Sequence, residues 1–176
     1  MLARLSRQAW LWSAYWRLYP LWDVLRQVVP EIELPAWSGM RWNIRYRLHR
    51  RVIEIRDAQL VLRPYSAAEV ADRAAAAAQS SGLSPDAVAV VVEAAVIVSS
   101  IRSRQGGSRR SHDGIPWDHI SAVAGNDVRA EATALIMVCR AIRCTPVVRE
   151  AAGWAPGRMT LLGRVAERVV RRRHIC

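Results

Sequence analysis

Apolar residues along this chain recur every third or fourth position, and no clean alternating run suggests a strand. The clearest case lies between Arg41 and Tyr65. There Ile44, Leu48, Val52, Ile55 and Leu62 fall on one face of a single predicted helix that Pro64 stops. Before it, the spacing predicts a helix over residues 3 to 18 stopped near Pro20. A short second helix ends before Pro30, and a linker runs from Pro30 to Gly39.

After it, Ser66 and Glu69 read as a capping box that opens an alanine-rich helix closing at Gly82. Ser84 and Pro85 supply a cap and a first-turn proline for the next helix. Its run from Ala87 to Val98 is apolar on every side, broken only by Glu93, which predicts a buried hub helix over 87 to 99. The arginine-bearing helix and a helix over 127 to 143 should pack on it. Residues 103 to 114 are polar, glycine-rich and basic, and predict the longest loop.

A short element around Trp117 to Val123 leads to a turn and cap at Gly125-Asn126-Asp127. Thr145-Pro146 opens a short helix ended by Gly153, and a last helix from about Arg158 reaches the basic tail Arg168 to Arg173. The expectation is one all-α domain over 1–176, of about eight helices, without repeats. Its 176 residues are enough for a real core.

Charge changes the picture. All 26 basic residues are arginine, and against 15 acids they give a net charge of +11. A GC-rich coding bias explains arginine in place of lysine, but not the excess. The excess implies an acidic partner: protein, anionic small molecule, membrane surface or nucleic acid. Nucleic acid ranks low, because no helix-turn-helix, zinc finger or aromatic platform interleaved with arginines is visible. Three cysteines (139, 144, 176) without a CxxC pair suit a reduced, cytoplasmic chain. The tryptophan-rich start is interrupted by Arg17 and Pro20, so it reads neither as a membrane span nor as a secretory signal, although peripheral contact with a membrane fits it.

Three segments carry a resemblance: LWDVLRQVVPEIELP (21–35), RYRLHRRVIEIRDAQLVLRPY (45–65) and ATALIMVCRAIRCTPVVREAA (132–152). Together they resemble an actinobacterial domain of unknown function, carried as the cytosolic C-terminal domain of multi-pass membrane proteins. The resemblance runs over roughly residues 10 to 152. It implies a mostly helical cytosolic domain centred on the arginine helix, and it supplies no catalytic residues. Here the domain is expected to stand free of a preceding transmembrane region.

The arginine helix is the main chemical candidate. The stretch 41–65 carries seven arginines (41, 45, 47, 50, 51, 56, 63) and only two carboxylates, Glu54 and Asp57. As an anion site, Arg47, Arg50 and Arg51 would grip oxyanions, with Arg63 and Tyr65 joining from the corner that follows. Glu54 or Asp57 would steer a guanidinium or accept a proton. As a structural lattice, the same carboxylates would simply orient the arginines, and ion networks are more often of this kind. The paired His112-Asp113 and Asp118-His119 match no metal motif, so neither a metal nor another cofactor is expected. Cys139 and Cys144 read as core residues.

Five tryptophans lie within the first 37 residues. Trp12, Trp16 and Tyr19 form a stripe at helical spacing that predicts a homo- or hetero-oligomeric contact. The reading that follows is a cytoplasmic accessory or interaction subunit that binds an acidic protein or anionic ligand. The alternative is an enzyme, or enzyme subunit, of a small-molecule pathway acting on a phosphate- or sulfate-bearing substrate.

Overall fold

A computed structural model describes residues 2–32, 43–107 and 127–153. These form six α-helices with no strand among them: α1 (Leu2–Val28), α2 (Ile44–Leu62), α3 (Ala68–Ser80), α4 (Pro85–Gln105), α5 (Val128–Cys144) and α6 (Pro146–Ala151). Short 3-10 turns at Pro30–Ile32 and Arg63–Tyr65 follow α1 and α2. The all-α expectation holds. The short element near Trp117 and the helix from Arg158 lie outside the described residues.

The predicted break at Pro20 is absent, and α1 runs through it as one helix of 27 residues. Proline removes the N–H that would bond the Trp16 carbonyl. Trp16 and Arg17 are exposed, so water can reach that carbonyl, and the helix continues. The two helices expected before Pro30 are therefore one.

Helix ends follow local chemistry at most junctions. Asn43 opens α2 by accepting from the Arg45 and Tyr46 amides, Ser84 opens α4 by accepting from Ala87, and Asp127 opens α5 by accepting from Arg129. Pro85 and Pro146 sit in the first turns of α4 and α6. Gly82, at φ +72°, turns the chain between α3 and α4. The capping box at Ser66 does not form. Its hydroxyl donates back to the Arg63 carbonyl at 2.7 Å, and Ala67 takes the cap position of α3 without a side-chain bond.

The hub helix is where the pattern placed it, extended to Pro85–Gln105. Val91, the run Ala94 to Val98, and Ile101 are buried in a core that all six helices share. The closest partner of α4 is α3, whose buried Ala74 and Ala78 let the two backbones approach. α5 also lies along α4 as expected, while α2 packs chiefly on α1 rather than on the hub. No helix among the described residues is long and apolar enough to cross a membrane.

Candidate functional site

Two features that are separate in the sequence, the aromatic stripe and the arginine helix, lie against each other. Arg47 sits over the Trp12 ring at 5.8 Å, Arg51 over Tyr15 at 3.6 Å, and the Trp22 indole N–H donates to Glu54 at 2.7 Å. Residue numbers rise together along both helices, so α1 and α2 run parallel.

Arg51 is the anchor of this contact. It is only 5% exposed, its Nη1 donates to the Tyr15 carbonyl at 2.7 Å, and its guanidinium also lies 5.2 Å from the Tyr19 ring and 4.7 Å from Trp22. Burial pushes its pKa below the ordinary arginine value. A planar cation stacked on rings tolerates this desolvation better than an ammonium would. Arg47 donates to the Tyr15 hydroxyl at 2.8 Å and covers the same ring at 4.6 Å. Glu54, also buried, accepts from Trp22 through one oxygen and from Arg50 Nε at 2.8 Å through the other.

The residues expected to hold an anion are not all brought to one place. Arg51 is enclosed, and each Glu54 oxygen accepts an N–H, from Trp22 and from Arg50. Asp57 stands half-buried toward the outer side of α2, without a hydrogen bond or ion pair among the described residues. Arg63 and Tyr65 follow the far end of α2, about 24 Å along from Arg47 at 1.5 Å per residue. The Tyr65 ring instead underlies Arg104, whose other contact is an ion pair with Glu31 at 2.8 Å.

A second polar cluster, which the sequence did not reveal, locks α2 to the hub. Arg56 Nη1 donates to Gln59 and to Glu93 of α4, both at 2.8 Å. Its Nε and Nη2 reach Glu131 of α5 at 3.1 and 2.9 Å. Gln59 Nε2 completes the set on Glu93 at 3.0 Å. Burial raises the Glu93 pKa above its usual 4.5, and the Arg56 charge opposes that rise without cancelling it. The lone acid in the apolar run of α4 was the visible signal; its partners, 37 and 34 residues away, were not.

What remains exposed is aromatic. Trp12 is 42% exposed, Trp16 59% and Tyr19 38%, and successive rings of the stripe touch edge-on or tilted from Trp12 through Tyr15, Trp16 and Tyr19 to Trp22. On α2, exposed Ile53 and Leu60 share a side with half-buried Tyr46. Both rows point away from the core, because Leu18 and Leu25 on α1, and Leu48 and Ile55 on α2, are fully buried on the opposite sides. The pair thus presents one continuous face: rings on one wall, Tyr46 and Ile53 on the other, Arg47 and Arg50 between.

Among the described residues no cluster of His, Cys, Asp and Glu is arranged to hold a metal. His112, Asp113, Asp118 and His119 lie outside them. Cys139 is buried, and its thiol is pushed up to about 12 by that burial, which leaves it protonated and inert; Cys144 is exposed. Residues 7–144 match a family of unknown function (DUF6545). The chain belongs to that family. The match takes in α1 almost from its start and ends with α5, so both helices of the exposed face are part of the family domain. No curated protein and no solved structure matches the chain.

Proposed function

We propose that this chain is a cytosolic interaction subunit that docks an acidic partner protein on the face shared by α1 and α2. The observation that carries the reading is the exposed ridge Trp12, Trp16 and Tyr19, backed by arginines that fold back onto it. Exposed aromatic area beside arginine is the usual make-up of binding hot spots. The rings are also held in place beforehand, since Arg47 and Arg51 pin Tyr15, Tyr19 and Trp22 from beneath. Charge gives the sign of the partner. Arg17 and Arg45 are exposed at the two edges, with no carboxylate in ion-pair contact among the described residues, and the whole chain carries +11. The likeness to a domain carried as a cytosolic tail of membrane proteins supports the same kind of role, a docking module attached to or recruited by larger machinery.

A random glutamate–tyrosine copolymer serves as the acidic probe, with binding measured against salt. Wild-type protein should bind it. Trp16→Ala should cost about 2 kcal/mol, or roughly thirtyfold, as expected for a hot-spot ring, and Arg17→Glu should flatten the salt dependence. Arg73→Glu, on exposed α3, should change little. Equal losses from Arg73→Glu and Arg17→Glu would show that net charge alone binds the probe. A Trp16-dependent preference for phosphatidylserine vesicles would replace the protein partner with a membrane surface.

A further inference from the structure

We infer that the outer face of α5 lies on an anionic bilayer surface and binds phospholipid headgroups; the inference is independent of the docking role proposed for α1 and α2. Helical spacing sets the face. Arg129, Thr133, Met137, Arg140, Arg143 and Cys144 are exposed and recur every three or four residues, while Ala132, Leu135, Val138 and Cys139 are buried on the other side. The face runs for about 22 Å, at 1.5 Å per residue. Its three arginines take part in no ion pair among the described residues. Arg129 lies over the Trp10 ring at 4.7 Å, a contact that leaves its charge unneutralised. The carboxylates of this stretch are occupied elsewhere: Glu131 turns inward to Arg56, and Asp127 caps the first turn by accepting from the Arg129 amide.

Free arginines call for an anion, and two observations make it a bilayer. The first is that charge is sorted by side. α3 and α5 both pack on α4 and scarcely touch each other, so they lie on different sides of it. The exposed charges of α3 are Glu69, Asp72 and Arg73, and Asp86 is exposed just past the turn into α4, which sets three carboxylates against one arginine there. On α6, Arg149 and Glu150 offset each other. A small acidic partner needs complementary charge only where it touches. An extended anionic plane repels any carboxylate within a Debye length of about 8–10 Å, and here the acidic side stands across α4 from the arginines. The second observation is Met137, 46% exposed amid the arginines, with half-buried Ile136 beside it. Against a duplex, this thioether would press on phosphate or water. At a bilayer interface, guanidinium groups sit among the headgroups while a neighbouring apolar side chain reaches the acyl boundary below them.

The test uses the full chain and phosphatidylcholine vesicles made with or without about a third phosphatidylserine. Wild type should bind the vesicles that carry phosphatidylserine and not the others. Each basic charge near such a surface is worth about fivefold in binding. Arg140→Glu and Arg143→Glu, each a change of two charges, should therefore weaken it about twenty- to thirtyfold. Arg73→Glu, an equal change of charge on exposed α3, should cost less than about threefold. An environment-sensitive dye reads the side directly. In a Cys176→Ser background, dye on exposed Cys144 should shift to the blue on vesicles; dye on Ser80→Cys of α3, with Cys144→Ser, should not. Cys139 is buried and stays unlabelled. If Arg73→Glu costs as much as Arg140→Glu, net charge alone binds and the inference falls. Vesicle binding that follows Trp16→Ala and ignores Arg140→Glu would put the bilayer on the aromatic ridge and overturn it. If duplex DNA or the glutamate–tyrosine copolymer, at matched charge concentration, binds through Arg140 more tightly than the vesicles do, the face belongs to that polyanion instead. Trp16-dependent binding of the copolymer is read separately, so failure here is distinct from failure of the docking role.

Discussion

Replacing Arg56 by methionine should be among the most damaging single changes available in the described part of this protein. Methionine keeps the length of the aliphatic stem and removes only the guanidinium, so packing changes little. The loss is electrostatic. Arg56 makes hydrogen bonds to Gln59, Glu93 and Glu131, and no other cation bridges α4 and α5 at that point among the described residues. Without it, Glu93 and Glu131 face each other unneutralised, with Glu93 side-chain exposure at 7%.

Breaking a buried pair on one side costs about 3–5 kcal/mol, because a desolvated charge is left behind. At a urea m-value of about 2 kcal/mol per molar, a 4 kcal/mol loss moves the unfolding midpoint down by about 2 M. The double variant Arg56→Met with Glu93→Gln removes both the cation and the buried negative charge, and should recover more than half of that loss. Acid should rescue the single variant too, since a protonated Glu93 no longer needs a counter-charge. Urea titrations followed by circular dichroism at pH 7 and pH 5 measure all three. A midpoint for Arg56→Met within about 0.5 M of wild type would refute the reasoning, as would a double variant no more stable than the single one.

Other outcomes are expected. Glu93 holds its proton more firmly in the fold than its usual pKa of 4.5, so as pH rises past that value the unfolded chain gives up this proton first and stability falls until the folded carboxyl ionises; the stability of wild type minus that of Glu93→Gln should therefore decrease with rising pH across that window, and a difference that grows instead contradicts it. Arg51→Met should destabilise by about 2 kcal/mol, through a lost charge-assisted hydrogen bond and cation–π contacts, and should change the tryptophan emission spectrum; an unchanged spectrum would mean the cation does not hold the rings. Iodoacetamide at neutral pH should alkylate Cys144 and leave Cys139 unmodified in the native protein, as read by peptide mass mapping, with labelling of Cys139 at a comparable rate contradicting its burial. Ser84→Ala should cost about 1 kcal/mol by removing the α4 cap, while Ser66→Ala, expected from the sequence to remove a cap, should leave the helicity of α3 unaltered.

What the sequence made legible was what local chemistry decides. Ser84-Pro85, Asp127, Thr145-Pro146 and the glycines at 82 and 153 mark helix ends because each acts on backbone within four residues of itself. Trp12, Trp16 and Tyr19 were readable as one stripe because helical spacing alone puts them there. Pro20 misled, since a proline signals a break only where nothing else satisfies the orphaned carbonyl. Ser66 misled because its hydroxyl had a second acceptor within reach, the Arg63 carbonyl. The arginine helix was readable as amphipathic and basic, but not the destination of its charges. Arg51 crosses 36 residues to Tyr15, and Arg56 crosses 75 to Glu131, so two of the charges that suggested an open cationic surface are engaged in internal bonds.

The parallel course of α1 and α2 has a consequence for how the chain folds. Antiparallel neighbours such as α3 and α4, joined at Gly82, meet through short loops and can pair almost as soon as they form. Parallel neighbours cannot. From the end of α1 the chain must travel back about 25 Å before α2 begins, judged at 1.5 Å per residue. Every contact between them then closes a segment of about thirty residues, an entropic cost met before any ring or cation is in place. The α3–α4 hairpin should therefore gain hydrogen-exchange protection early in refolding, with α1 docking late. The face shared by α1 and α2 should then be the last part of the described fold to form.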